Sequence, residues 1–109
     1  MARFFRGFAR YTEGPKRYTP ALSYTISAAG RTAIHEDGAV FFHLDTGVLF
    51  KSNRVGAQIW KGVLSQDTPA TIISQISSEY GIAEEQAAQD TGQFLAALES
   101  EGFVTAVGR

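Results

Sequence analysis

Apolar and polar positions along the chain change rhythm twice. From Arg31 to Lys51 short apolar runs alternate with turn residues, and from Asn53 onward apolar residues recur every three or four positions. Residues 31–36 and 39–44 are expected to be strands joined by a tight turn at Asp37-Gly38, a dipeptide that accepts positive φ. Asp45-Thr46-Gly47 makes a second, three-residue turn into residues 48–51, with Gly47 suited to the left-handed position. Pairing Glu36 with Ala39 and Leu44 with Val48 sets a register. It places Phe42 opposite both Ala33 and Phe50, and gathers Val40, Phe42, Leu44, Val48 and Phe50 on one buried face. Phe41, His43, Leu49 and Lys51 then fall on the other, mixed face.

Three helices are expected after this meander. Asn53 caps the first, whose Val55, Ile59, Trp60 and Val63 form an apolar stripe. Thr68-Pro69 starts the second, which buries Ile72, Ile73, Ile76 and Tyr80 and ends at Gly81. The third runs from Glu84 to Ser100, with two acidic residues at its positive end and Ala87, Ala88, Thr91, Phe94, Leu95 and Leu98 along one side. Gly102 stops it, and Phe103-Val104-Thr105 reads as a short closing strand. A three-stranded sheet cannot bury its apolar face alone, so the helices must cover it. The expected fold is α+β: a three-stranded antiparallel meander packed on a three-helix, winged helix-turn-helix-like bundle.

Residues 1–21 show no sustained period and contain Gly7, Gly14, Pro15 and Pro20. They read as a basic arm, with room for a short helix near Phe4, Phe5 and Phe8, ahead of a domain at residues 22–109. The formal net charge of −1 hides an asymmetry. Residues 1–35 carry six Lys/Arg against Glu13 alone, a balance of +5, and residues 36–109 carry four against ten Asp/Glu, a balance of −6. An acidic body is poorly matched to a phosphate backbone. Cysteine is absent, which removes disulfides, thiolate chemistry and zinc–sulfur sites and suits a cytoplasmic protein. No apolar run is long enough for a membrane span, and no secretory signal pattern opens the chain.

These residues offer little to catalysis. Only His35 and His43 exist as imidazole bases, and the register puts them on opposite sides of the sheet. Glu84-Glu85 is helix-start electrostatics, and the turn glycines do not form a phosphate loop. No catalytic residue, metal ligand or cofactor is expected. A winged-helix DNA-binding regulator is the natural alternative, yet neither the second nor the third helix carries a Lys or Arg to read bases.

Peptide binding has a positive argument. Residues 48–51 close the meander and leave a free edge, blunted only by Lys51. An extended guest can add there as a further strand, with main-chain hydrogen bonds giving affinity and side-chain pockets giving choice. The third helix would wall the groove with Asp90, Phe94 and Ala97. Covering of the same edge by the arm is the competing structural reading. A Leu49→Lys, Phe94→Asp double change is expected to stop binding and leave the fold intact.

The stretch Gly38-Ala39-Val40-Phe41-Phe42-His43-Leu44-Asp45-Thr46-Gly47, followed by Asn53-Arg54-Val55-Gly56-Ala57-Gln58-Ile59-Trp60, resembles the PqqD-like proteins. So does the segment from Asp90 to Val104. The resemblance implies a recognition element for ribosomally made, post-translationally modified peptides. Such an element binds a precursor's leader beside its third strand and presents the core to a maturation enzyme of the radical SAM or protease-like kind, in pathways such as lasso-peptide or PQQ biosynthesis. Carried over, the contacting strand is Val48, Leu49, Phe50 and Lys51, and the helix wall is Asp90, Phe94 and Ala97. Ser52 stands where the family usually has leucine. Tyr18-Thr19-Pro20-Ala21-Leu22 faintly resembles the Tyr/Pro/Leu spacing of lasso leaders, one residue short, and is a candidate to fold back into the chain's own groove. A structural subunit docking its enzyme through this groove, and pairing of two chains through the edge, complete the alternatives.

Overall fold

The computed structural model describes residues 2–4 and 23–108, so the arm apart from its first strand, including Tyr18–Leu22, lies outside the described residues. The elements run β1 (Ala2–Phe4), β2 (Ser23–Ile26), β3 (Gly30–His35), β4 (Gly38–His43), β5 (Leu49–Ser52), α1 (Arg54–Leu64), α2 (Pro69–Tyr80), α3 (Glu84–Ser100) and β6 (Val104–Val107). The expected meander is present as β3-β4-β5, extended by β1 to the order β1-β5-β4-β3. A second sheet pairs β2 with β6. The architecture is α+β, with α1 and α3 against the meander and α2 packed on the other two helices.

Helix boundaries follow their caps. Asn53 Oδ1 accepts from Gly56 N–H at 2.9 Å, and Thr68 Oγ1 accepts from Thr71 N–H at 3.2 Å ahead of Pro69 in the first turn. Gly81 ends α2 in the left-handed conformation. No side chain caps α3 at Ala83, where Glu84 and Glu85 face the positive end of the helix dipole.

On β4 the buried face is the opposite of the expected one, while Phe50 of β5 is buried as expected. Ala39, Phe41, His43, Phe50 and Ser52 point into the core, while Phe42 and Leu44 are exposed and Val40 and Val48 half-buried. The cause is one residue of turn length. His43 N–H donates to Val48 O at 3.0 Å, so Leu44 joins a four-residue loop and Phe41, not Phe42, pairs with Phe50. His43 is what this loop is built around. Its Nδ1 accepts from the amides of Asp45 at 3.2 Å and Thr46 at 3.4 Å, and Nε2 lies 3.2 Å from Gly102 O, a pattern that puts the ring hydrogen on Nε2. His35 is exposed on the other face, so the two histidines are apart, as the register argument required.

The first turn also moves. Its two loop residues are Glu36 and Asp37, with His35 paired to Gly38. The unusual torsion falls on Gly38, at φ 154°, where a Cβ would lie 2.0 Å from Ser52 O. A Gly38→Ala variant is therefore expected to lose at least about 1–3 kcal/mol of stability. An unchanged denaturation midpoint would contradict this packing.

Phe41 sits at the centre of the core with no exposure. Its ring meets Trp60 at 5.1 Å, Phe103 at 5.6 Å, Phe50 at 5.7 Å and Phe94 at 6.1 Å between centroids, mostly edge-on. These contacts tie β4 and β5 to α1, α3 and the residue before β6. Ser52 is buried in place of the expected leucine, and its hydroxyl donates to Asn53 O at 3.1 Å. Gly56, in the first turn of α1, admits both Ser52 and Phe94: a Cβ there would lie 2.7 Å from Ser52 Cβ and 3.0 Å from Phe94 Cε1.

Candidate functional site

In an antiparallel ladder, successive residues direct their main-chain groups alternately to one neighbour and to the other. The bonded pair His43–Val48 sets this alternation for β5. Phe50 and Ser52 therefore bond to β4, and the amide and carbonyl groups of Leu49 and Lys51 face outward from the meander. They are the acceptors and donors of an edge. Leu49 is half-buried and Lys51 exposed, so the same two residues also offer their side chains outside the core.

The edge is occupied. Strand β1 lies parallel to β5, with Ala2 opposite Leu49, Arg3 opposite Phe50 and Phe4 opposite Lys51. The expectation of a free edge is thus overturned by residues 2–4, which form a strand in an arm that was read as irregular with room for a short helix near Phe4, Phe5 and Phe8. Three consecutive residues suffice because an unpaired row of N–H and C=O groups is a ready template for any extended segment.

Helix α3 supplies the other side. Asp90, Phe94 and Ala97 fall along one line of the helix, but their surroundings differ. Phe94 has no exposure and packs on Phe41 and on Phe50, the latter at 6.1 Å. Phe50 is itself buried. These two rings form the floor under the edge, so Phe94→Asp strikes the core and does not leave the fold intact. Ala97 is half-buried.

Asp90 is fully buried and polar. Its Oδ1 accepts from Gln86 Nε2 at 2.8 Å, while Oδ2 has no hydrogen-bond partner. Burial pushes its carboxyl up to about 6, against the opposing pull of the Gln86 hydrogen bond. Gln93, one turn further on and 4 % exposed, likewise leaves Oε1 unpartnered, as does Thr91 its hydroxyl. Gln86 and Gln93 were not among the expected site residues, although their spacing of four and three from Asp90 places them on its side of the helix. Unsatisfied buried acceptors are costly, and a pair of them is a demand for a donor. Among the described residues, no group of three or more His, Asp or Glu is arranged to hold a metal ion.

A family model for coenzyme PQQ synthesis protein D (PqqD) matches residues 38–104. Two solved structures share the architecture. TbiB1 in complex with the TbiA(beta) leader peptide is 29 % identical, with a TM-score of 0.71 over 78 % of this chain and 99 % of that one. A lasso peptide synthetase B1 complexed with the leader peptide is 20 % identical, with a TM-score of 0.70 over 76 % and 98 %, and bears on the fold alone. No curated protein matches the chain.

Proposed function

The chain belongs to the PqqD family, and on that footing we propose that it binds the leader segment of a ribosomally synthesised precursor peptide by strand addition and presents it to a separate maturation enzyme. The carrying observation is that β5 takes an added strand: the main-chain groups of Leu49 and Lys51 face outward, and an extended segment from outside the meander pairs with them. The likeness to TbiB1, solved with a leader peptide, supports the same use of the fold.

Each part has a physical role. Main-chain pairing at residues 48–51 gives affinity without regard to guest sequence. The side chains of Val48 and Ala97 give apolar selection on the side of Phe50 and Phe94, and Leu49 offers an apolar contact on the other face of the sheet. Asp90 and Gln93, buried as they stand, become reachable when the groove opens for a guest, and an arginine or lysine of that guest would then satisfy the unpartnered oxygens. The chain acts as a binding protein without chemistry of its own, and the radical SAM or protease-like enzyme it serves supplies the reaction. We place this work in the cytoplasm; no described helix is long and apolar enough to cross a membrane. The DNA-binding alternative finds no basic residue on α2 or α3.

Lys51→Pro tests the reading. Proline removes an outward N–H and leaves the ladder to β4 in place. Titration with the TbiA(beta) leader peptide is expected to show affinity reduced about 10- to 100-fold, from the lost hydrogen bond and the intruding ring. The melting temperature should barely move. Full affinity in this variant would remove β5 as the docking strand.

A further inference from the structure

We propose that strand β1 and a guest peptide are alternative occupants of the β5 edge, so that capture proceeds by exchange of the chain's own strand for the guest. This rests on the peptide-capture reading above. A strand has one outward row of main-chain groups on each side. On β5 one row is committed to β4 and the other to β1, which leaves no second place for an added strand. A guest must displace β1 or dock elsewhere.

Two features make β1 displaceable. Among the described residues it pairs through three, one fewer than β5 offers. It runs parallel to β5, and parallel pairing is slightly weaker per residue than antiparallel. A longer antiparallel guest therefore gains more from the same edge. The attraction that holds β1 nearby is partly electrostatic. Residues 1–22 carry Arg3, Arg6, Arg10, Lys16 and Arg17 against Glu13, a balance of +4, and residues 23–109 carry −5.

Exchange has two consequences. Between guests, β1 covers an edge that would otherwise recruit any extended chain. During capture it sets a threshold, because an intrachain competitor acts at an effective concentration on the order of millimolar. Occupancy of the edge for nine-tenths of the time weakens a guest's apparent affinity about tenfold. A guest that pairs over all of β5 and fills the subsite at Asp90 passes the threshold, and a generic extended peptide does not.

The test compares the native full-length chain with a full-length Arg3→Pro, Phe4→Pro variant, which cannot hold β1 in the ladder. Each is titrated with the TbiA(beta) leader peptide while amide shifts are followed at Leu49–Ser52. In a second arm, a synthetic peptide of residues 1–8 is added to the variant and then challenged with the leader. Exchange predicts about tenfold tighter leader binding by the variant. It also predicts shifts at residues 49–52 with the synthetic peptide and loss of that peptide as leader is added. The advantage of the variant should shrink at high salt, where the arm's attraction is screened. Equal affinities, or simultaneous binding of both peptides, would overturn exchange and leave peptide capture standing. A leader that never perturbs residues 49–52 in either protein would overturn capture at this edge, and exchange with it.

Discussion

Replacing Phe94 with aspartate is expected to unfold the domain. The ring has no exposure and packs on Phe41 and Phe50 at 6.1 Å each. Losing a buried phenylalanine costs about 3–5 kcal/mol, and an unpaired carboxylate in its place adds several more. A domain of this size has about 5–15 kcal/mol in total. Loss of the far-UV helical signal and of amide dispersion at 25 °C is the outcome that fits. A folded Phe94→Asp protein would mean that the ring faces the groove and that the core is held without it. The contrast matters for function, because lost binding in such a variant reports unfolding. Leu49→Lys, at a half-buried position on the edge, separates the two effects and should leave the fold in place.

The second large effect concerns Asp90, where stability and binding are expected to move in opposite directions. Burial raises its carboxyl from 3.8 to about 6 in the folded protein. Between these values the folded state holds the proton more tightly than the unfolded chain. The contribution of Asp90 to stability is therefore fullest below about pH 4, falls as pH rises to about 6, and stays reduced above it. Asp90→Asn keeps the acceptor for Gln86 and removes the ionisation. It should raise the melting temperature at pH 7.5 and leave it nearly unchanged at pH 4, with an upper bound of about 3 kcal/mol at the higher pH. The same variant should bind a guest bearing arginine or lysine about tenfold more weakly, since a charge-assisted hydrogen bond is lost. Paired calorimetric scans and titrations check both halves. A melting temperature that responds equally at both pH values would show that Asp90 is not the group being titrated, and unchanged affinity would remove it from the subsite.

Much of this was legible in the sequence, for reasons that differ from element to element. The helices were readable because each carries its own punctuation: Asn53, Thr68-Pro69, Gly81 and Gly102 act within one or two turns of where they stand. The order and pairing of β3, β4 and β5 followed from their turns. The buried face did not, because Val40-Phe41-Phe42 is apolar on both sides and a one-residue change in loop length inverts the choice. What decides it is His43, whose ring bonds to two loop amides and to Gly102, fifty-nine residues away, a long-range fact that no local pattern carries. Strand β2 was missed for a related reason. Ser23–Ile26 is four residues long and acquires its identity only by pairing with β6 at the far end of the chain. The candidate site of Val48, Leu49, Phe50, Lys51, Asp90, Phe94 and Ala97 was drawn from edge and helix geometry. Phe50 already stood on the expected buried face, and the depth of Phe94 follows from its packing on the Phe41 and Phe50 rings, which no local pattern carries. That the edge already had a tenant was weighed as a competing reading but not expected, since Ala2–Phe4 is too short to announce a strand.

Gly56 gives the site its calibre. The first turn of α1 passes between the end of β5 and the ring of Phe94, and only a hydrogen atom separates the three. A methyl group at this position would act as a spacer, driving the long helix away from the sheet border. The slot between them would then widen along its whole length.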